Sequence, residues 1–360
     1  MFLTGLSYGQ HGSVSMLGGN KKNRQTNKET VMTKVWISAL SALTASTILS
    51  GAVAAQDVRF RANMPGNEES IAYRSVERFN EVLGEKTDGA VVINLFANSA
   101  LGDQESSLEA MQTGLLDMAT VETPITSVVP ALGATALPYI FSSREHVAEA
   151  LGGEAGQKIE AMLLEKGLRP VAFLEGGFRQ ITNNVHPITV PADLEGVKMR
   201  TPGSALRIKI FNHYGANASP LPFNELYSAL QTGVFDGQEN PVIWAQSQRF
   251  YEVQDYLSLT NHLYTITYLL ISEDKFQSLS EEQQTAMIEA GDVAEAYSVE
   301  LGTKADAEIV SFLKEQGMQV NEADVAAFTE ASGPIWTEWA QEQGPEAQTL
   351  IDLIVEARPE

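Results

Sequence analysis

The chain has 360 residues, of which 44% are hydrophobic and 19% charged, a composition typical of a soluble globular protein. Its formal net charge of −22 argues against nucleic acid as a partner, because phosphate binding needs a basic surface. The absence of cysteine excludes disulfides, thiol nucleophiles and cysteine-based metal centres. The five histidines show no metal-binding spacing, so we expect no histidine-built metal site, while a calcium site made of carboxylates and carbonyls stays open.

The first 55 residues differ in composition from the rest of the chain. Residues 1–34 are polar and basic, Val35–Leu49 is largely apolar, and small residues lead up to Ala55. This order is typical of a secretory signal peptide cleaved after Ala55, and a start at Met32 would give its basic segment an ordinary length. A membrane anchor is the alternative, but about 15 apolar residues fall short of the ~20 that a spanning helix needs. Cleavage would remove five basic residues and one acidic residue, which takes the net charge from −22 to −26.

After Gln56, short β-rich runs alternate with amphipathic helical patterns. In order, the sequence predicts a strand Val58–Ala62, a helix Ser70–Glu85, a strand Val91–Phe96, a helix Gln104–Gln112 and a strand Met118–Val121. This alternation indicates a mostly parallel sheet with helices packed on its faces. The order resumes with strands at Leu168–Leu174, Gln180–Thr182, Val197–Arg200, Ala216–Ser219 and Phe235–Gly237 and with helices at Ser204–Tyr214 and Glu225–Gln231.

One short segment occurs twice, with an offset of 119 residues. Residues 110–117 (AMQTGLLD) and 229–236 (ALQTGVFD) each predict a helix that ends at a glycine and leads into a strand. Chance similarity between two helix-to-strand connections is the alternative. The repeat favours two similar α/β lobes within one chain.

The C-terminal part of the chain is predicted to be helical. Ser280 begins a capping-box pattern, and helical periodicity runs over residues 281–316 until Gly317 ends it. A helix of that length spans about 54 Å, which is too long for one lobe. It therefore either breaks near Gly291 or Gly302 or crosses both lobes. Two further helices are predicted at Glu322–Glu342 and Glu346–Ala357.

Arg200 is the most informative polar residue. Pro202 ends the strand that carries it, and Ser204 is the predicted N-cap of the next helix. A guanidinium at a strand end next to a helix N-terminus suits a carboxylate ligand, while a solvated arginine paired with a nearby acid is the alternative. Arg207, three residues into the helix, is interpreted as a surface residue. No G-x-S-x-G motif, P-loop or strand-linked G-x-G-x-x-G motif accompanies these residues.

Four more residues are candidates for the same site. Arg179 follows two glycines that permit close backbone approach, and Asn240 immediately precedes a helix predicted to begin at Pro241. Phe223 lies in a proline-bounded loop, and Glu122 follows the third predicted strand. The respective alternatives are an edge-strand arginine, a helix N-cap, an aromatic in the core and a loop carboxylate.

The chain resembles the DctP-type periplasmic solute-binding proteins of TRAP (tripartite ATP-independent periplasmic) transporters. Three stretches carry the resemblance, namely residues 100–118 (ALGDQESSLEAMQTGLLDM), 191–202 (PADLEGVKMRTP) and 230–241 (LQTGVFDGQENP). It extends over essentially all of residues 57–350. It implies an α/β fold with a two-lobed periplasmic-binding-protein architecture, in which a strand hinge joins the lobes, a long helix crosses both, and the lobes close around one ligand.

The resemblance also implies domain boundaries. Residues 1–55 would be an N-terminal extension with the signal peptide. Residues 56–177 with about 266–306 would form lobe 1, and residues 178–265 with about 307–360 would form lobe 2.

The family's ligand-binding positions fall on seven residues of this chain. Its carboxylate-pairing arginine falls on Arg200 and a second arginine on Arg179. Its ligand-facing asparagine falls on Asn240 and its stacking aromatic on Phe223. Positions that vary with the family's substrates fall on Asn63, Asn67 and Glu122.

We therefore expect a periplasmic TRAP receptor that is not an enzyme, binds a small organic acid anion and delivers it to the small and large membrane subunits. Glu122 would repel a second carboxylate and so favours a sugar acid, while amino acids, ectoine-like zwitterions, aromatic acids and sulfonates stay open. We expect a monomer without a cofactor, a metal or a nucleic-acid partner. The alternatives are a secreted carboxylate-dependent glycoside hydrolase and a ligand sensor for a signalling protein.

Overall fold

The computed structural model describes residues 57–359, and the predicted signal peptide and cleavage site lie outside this range. The strands are β1 (Val58–Asn63), β2 (Val91–Phe96), β3 (Met118–Val121), β4 (Leu168–Asn183), β5 (Lys198–Thr201), β6 (Asn217–Pro220), β7 (Gly237–Pro241), β8 (Tyr256–Leu259), β9 (Tyr264–Ser272) and β10 (Gln319–Glu322). The α-helices are α1 (Ile71–Lys86), α2 (Gln104–Gln112), α3 (Arg144–Gly152), α4 (Glu154–Leu164), α5 (Ala205–His213), α6 (Leu226–Gln231), α7 (Val242–Ser247), α8 (Glu273–Gln277), α9 (Glu281–Glu315), α10 (Val325–Gln343) and α11 (Pro345–Glu356). In this part of the chain, no helix combines the length and the apolarity that a membrane crossing requires.

Strand β4 belongs to two sheets and joins two α/β lobes. Its residues 168–178 pair with β9, whereas residues 179–183 pair with β7 on one side and β8 on the other. Lobe 1 contains the strand order β2-β1-β3-β9-β4, and lobe 2 contains β4-β7-β5-β6 together with β8 and β10. The parallel pairs β1–β2, β1–β3, β5–β6 and β5–β7 agree with the predicted parallel sheets. The expected two-lobed architecture is therefore confirmed.

The two strands predicted at Leu168–Leu174 and Gln180–Thr182 are one strand of 16 residues. The glycines between them make a β-bulge rather than a loop, because the register with β9 shifts between Glu175 and Gly177. Gly177 has φ +100°, which favours glycine, and pairing with β9 resumes at this residue, which lies opposite Thr265. The separate-strand prediction was wrong because a glycine pair inside a strand pattern also marks a bulge.

The long helix α9 is unbroken and contacts both lobes. It packs on α1 in lobe 1, on the shared strand β4, and on α7 in lobe 2. A Cβ at Gly291 would overlap the carbonyl oxygen of Val171, so this glycine lets the helix lie directly on the β4 backbone. The predicted crossing is confirmed, and Gly291 marks a close contact rather than a break. At the C-terminus, α11 packs against residues 130–136 and α4.

The strand around residues 236–241 begins and ends later in the chain than predicted. The strand predicted at Phe235–Gly237 is β7, which begins at Gly237 and extends to Pro241. Helix α7 begins one residue later than predicted, with Pro241 at its N-cap. Asn240 is therefore a strand residue, and the N-cap alternative for its side chain was wrong.

Candidate functional site

Three arginines are buried where the lobes meet. Arg179 lies in the lobe 2 part of β4, Arg200 near the end of β5, and Arg207 in the first turn of α5, whose N-cap is Ser204. Each of the three side chains is only 1% exposed. Buried guanidinium groups need charged or hydrogen-bonding partners, so their contacts define the chemistry of the site.

The carboxylate of Glu239 is the shared partner of two of these arginines. Arg179 binds it through Nε and Nη2 and also donates from Nη2 to Asn240 Oδ1 at 2.8 Å. Arg207 Nη1 lies 2.7 Å from each Glu239 carboxylate oxygen, and His262 Nε2 lies 3.1 Å from Oε2. Burial alone would raise the pKa of Glu239, but the two arginines and the hydrogen bond with His262 outweigh burial and hold the pKa well below its usual range. Glu239 is therefore ionised at neutral pH.

Arg200 has a different environment. Its Nε and Nη2 donate to the carbonyl oxygen of Leu221 at 2.9 and 2.6 Å. Within residues 57–359, no carboxylate forms a salt bridge with it. Burial lowers the pKa of Arg200 to about 9, with Glu239 and Glu105 opposing the decrease and the other two arginines adding to it. The group is still charged at neutral pH, so Arg200 is a buried cation that no carboxylate among residues 57–359 contacts in a salt bridge.

Glu122 is the second buried carboxylate of the cluster, and it belongs to lobe 1. It follows β3, is 7% exposed, and accepts a hydrogen bond from Thr267 Oγ1 at 3.2 Å. Burial raises the pKa of Glu122, while Arg179, Thr267 and Arg207 oppose the increase. Burial likewise lowers the pKa of His262, which favours its neutral form. Even with both carboxylates ionised, three guanidinium groups therefore leave an excess of positive charge in this buried region.

A small cavity lies between Arg207 of lobe 2 and the lobe 1 residues that include Glu122, Thr126 and Tyr268. Its volume is about 20 Å³, the space of roughly one water molecule. Small-molecule sites have volumes of about 300–1,000 Å³. The lobes are thus closed on each other, and a ligand of several carbon atoms can enter only if they separate.

The remaining predicted site residues make contacts within the protein. Asn63 Nδ2 donates to Gly102 O and Ser107 Oγ at 2.8 Å each, which fixes the loop after β2. Asn67 Nδ2 donates to Ser247 O at 2.8 Å and so joins the lobes. The ring of Phe223 packs edge-on against Trp244, with the ring centres 4.9 Å apart. Of the predicted site residues, Arg179 and Glu122 thus belong to the buried cluster, and Asn240 is hydrogen-bonded to Arg179. Contacts between a ligand and the seven predicted site residues stay predictions.

The interpretation of Arg207 as a surface residue was wrong, because its guanidinium is buried against Glu239. The sequence reasoning also missed Glu239 and His262, which have 0% exposed side chains. A usable signal was present for Glu239, since it stands between polar residues in a motif already attributed to the ligand site. No comparable local signal marks Arg207, since its partner lies 32 residues later in the chain.

Comparison with known proteins places the chain among bacterial binding proteins. A solute-binding protein of Roseobacter denitrificans is 36% identical over 298 residues, which cover 82% of this chain and 91% of that protein. The 2,3-diketo-L-gulonate-binding periplasmic protein YiaO of Escherichia coli is 31% identical over 326 residues, 90% of this chain and 97% of that protein.

Solved structures show the same similarity. A TRAP periplasmic solute-binding protein from Roseobacter denitrificans with bound L-galactonate has a TM-score of 0.78 and 34% identity, and covers 82% of this chain and 99% of its own. The sugar acid binding protein of Advenella mimigardefordensis in complex with galactonate has a TM-score of 0.81 and 31% identity, with 84% and 99% covered. The family of bacterial extracellular solute-binding proteins, family 7 (DctP), matches residues 62–343. The chain therefore belongs to the DctP family of bacterial extracellular solute-binding proteins.

Proposed function

We propose that this protein is the periplasmic receptor of a TRAP transporter and that Arg200 binds the carboxylate of a small organic acid. The observation that carries this proposal is the buried Arg200 guanidinium, whose protein partner is a carbonyl oxygen and not a carboxylate. A ligand carboxylate supplies the missing counter-charge, and a guanidinium can hold both of its oxygens. Binding of an anion therefore compensates the buried positive charge of Arg200.

The favoured ligand is a sugar acid with a single carboxylate. Relatives with 31–34% identity bind L-galactonate, β-D-galacturonate and galactonate. Glu122 accepts hydrogen bonds from ligand hydroxyls in this proposal, and its negative charge opposes a second carboxylate. A plain dicarboxylate is consequently a poor ligand.

The other predicted site residues have supporting roles. Arg179 and Asn240, which are hydrogen-bonded to each other, complete the donors around the ligand carboxylate. Phe223 covers the apolar side of the ligand, and Asn63 and Asn67 act near its distal end. The contact between Asn67 and Ser247 supports a role for this region in closure of the lobes.

Membership of the family supports delivery of the ligand to the small and large TRAP membrane subunits. We further propose that the receptor acts as a monomer, is released by cleavage near Ala55, and bends near the boundary between residues 177 and 178. The change of β4 partner between residues 178 and 179 supports a hinge at that place.

Isothermal titration calorimetry of the purified mature chain tests the proposal. We expect reversible binding of galactonate or galacturonate, weaker binding of succinate, and no release of product from either sugar acid. Absence of binding to all sugar acids, or tighter binding of succinate, would contradict the proposed ligand class. Turnover of a galacturonide would instead support the glycoside hydrolase alternative.

A further inference from the structure

Among residues 57–359, one nitrogen of Arg207 has no hydrogen-bond partner. Nη1 binds both Glu239 oxygens at 2.7 Å, and Nη2 lies 3.4 Å from Thr123 Oγ1. Nε is fully buried, and no acceptor among residues 57–359 receives its N–H. A buried donor left unpaired is unfavourable, so such a group in a folded protein calls for an explanation.

Arg207 lines the small cavity between the lobes. The other polar side chains around this cavity are Glu122, Thr123, Thr126, Thr135, Tyr264, Thr265 and Tyr268. Lobe 2 thus contributes a cationic N–H donor, whereas lobe 1 contributes a carboxylate acceptor and several hydroxyls. The two charged groups differ in sign and come from opposite lobes, so whatever binds between them bridges the closed cleft.

The chemistry of this pair selects one kind of group. A hydroxyl donates its hydrogen to Glu122 and accepts the Nε–H of Arg207. A second carboxylate is repelled by Glu122, an ammonium group is repelled by Arg207, and a methyl group satisfies neither. The volume of about 20 Å³ matches one water-sized group.

We infer that Arg207 and Glu122 form a subsite for a ligand hydroxyl remote from the carboxylate held at Arg200. The inference rests on the proposed function, because it assumes that the carboxylate binds at Arg200. The subsite would discriminate between acids, because a distal hydroxyl that binds Arg207 and Glu122 connects the two lobes directly. Acids without that hydroxyl occupy the carboxylate site but gain nothing from this contact.

Arg207→Lys is the informative substitution. Lysine keeps a positive charge for Glu239, so the counter-charge survives, but it lacks the Nε–H donor of arginine. Glu122→Gln is the second variant, and it removes the carboxylate acceptor while keeping the shape of the side chain. Arg249→Lys is the matched control, because this arginine is exposed and pairs with Glu252 on the surface.

The test compares galactonate with 2-hydroxyhexanoate, which has the same length, carboxylate and 2-hydroxyl but no distal hydroxyls. We expect Arg207→Lys and Glu122→Gln to weaken galactonate binding at least about tenfold, as loss of a charge-assisted hydrogen bond implies. Binding of 2-hydroxyhexanoate should change less than about twofold. Calorimetry measures the dissociation constant of galactonate by direct titration and that of 2-hydroxyhexanoate by competition with galactonate.

Each other outcome overturns a defined claim. If Arg207→Lys lowers the affinity for both acids equally, Arg207 acts through the carboxylate site. If the affinity for galactonate is unchanged, Arg207 does not contact the ligand. Either result refutes the subsite. Should Arg207→Lys fail to fold, folded Glu122→Gln with unchanged selectivity refutes it equally. If the unmodified protein binds neither acid, the proposed function itself fails and the subsite fails with it.

Discussion

Arg207 Nη1 donates to both carboxylate oxygens of Glu239 at 2.7 Å, and both side chains are buried. The same carboxylate also forms a salt bridge with Arg179, so a single negative charge balances two guanidinium groups. Removing it would leave two buried cations without a counter-ion. Glu239 is therefore a structural requirement for the arginine cluster.

Glu239→Gln should lower the free energy of unfolding by about 3–5 kcal/mol, the typical cost of breaking a buried ion pair from one side. Urea denaturation at pH 7 measures this change. The control is Glu300→Gln, because Glu300 pairs with Lys304 on the surface and such exposed pairs contribute little to stability. Similar stability of the two variants would contradict the ion-pair role of Glu239.

Gly66 of lobe 1 lies directly against Trp244 of lobe 2. A Cβ at Gly66 would be 2.6 Å from Trp244 Cζ3, which is closer than real contacts allow. Gly66→Ala should therefore hinder closure and weaken galactonate binding about tenfold, since overpacking typically costs 1–3 kcal/mol. Small-angle scattering with galactonate should give a larger radius of gyration than for the unmodified protein.

Gly84→Ala is the control for this prediction. Gly84 lies in α1, and nothing surrounds its Cβ position within 4 Å. We expect unchanged affinity and scattering, with a slight gain in stability because alanine favours a helix. Equal behaviour of the Gly66 and Gly84 variants would mean that closure does not bring Gly66 against Trp244.

Glu295 on α9 gives a prediction about pH. Burial raises the pKa of Glu295 to about 7, with Asp292 adding to the increase and the Phe173 N–H opposing it. In the unfolded chain the pKa is about 4.3. The folded state therefore binds an extra proton between these values, so the contribution of Glu295 to stability falls as pH increases through about 7.

Glu295→Gln should remove this dependence. Relative to the unmodified protein, its free energy of unfolding should increase between pH 5 and pH 8 by about 1–3 kcal/mol. Glu308→Gln, an exposed position on the same helix, should show no such increase. Thermal unfolding at both pH values makes the comparison, and a pH-independent difference would contradict the buried, protonated Glu295.

Local sequence patterns predicted many of the helices and strands, but they predicted neither α3 and α4 nor the buried charges. Ser280 caps α9 as expected, because capping depends on residues within one turn, and Ser70, predicted as the first residue of a helix, is the N-cap of α1. Strand β9 was not predicted, since all nine of its residues are buried and show no alternation. Arg207 was misassigned because a charged residue in a helix usually faces solvent. Its carboxylate partner, Glu239, becomes a neighbour only after folding.

The central claim is that Arg200 is the counter-charge of the ligand carboxylate. Arg200→Ala removes one partner of a buried charge pair, which costs about 2–5 kcal/mol and should weaken binding by roughly 30-fold or more. Arg200→Lys should also lose affinity, because lysine cannot hold both carboxylate oxygens in a planar fork. Arg59→Ala is the control, since Arg59 is exposed on β1.

Calorimetric titration of folded Arg200→Ala with galactonate tests this claim most directly. The account predicts a dissociation constant at least about 30-fold higher than that of the unmodified protein, with the Arg59→Ala variant within about twofold. A near-native dissociation constant for folded Arg200→Ala would contradict the account and place the ligand carboxylate elsewhere.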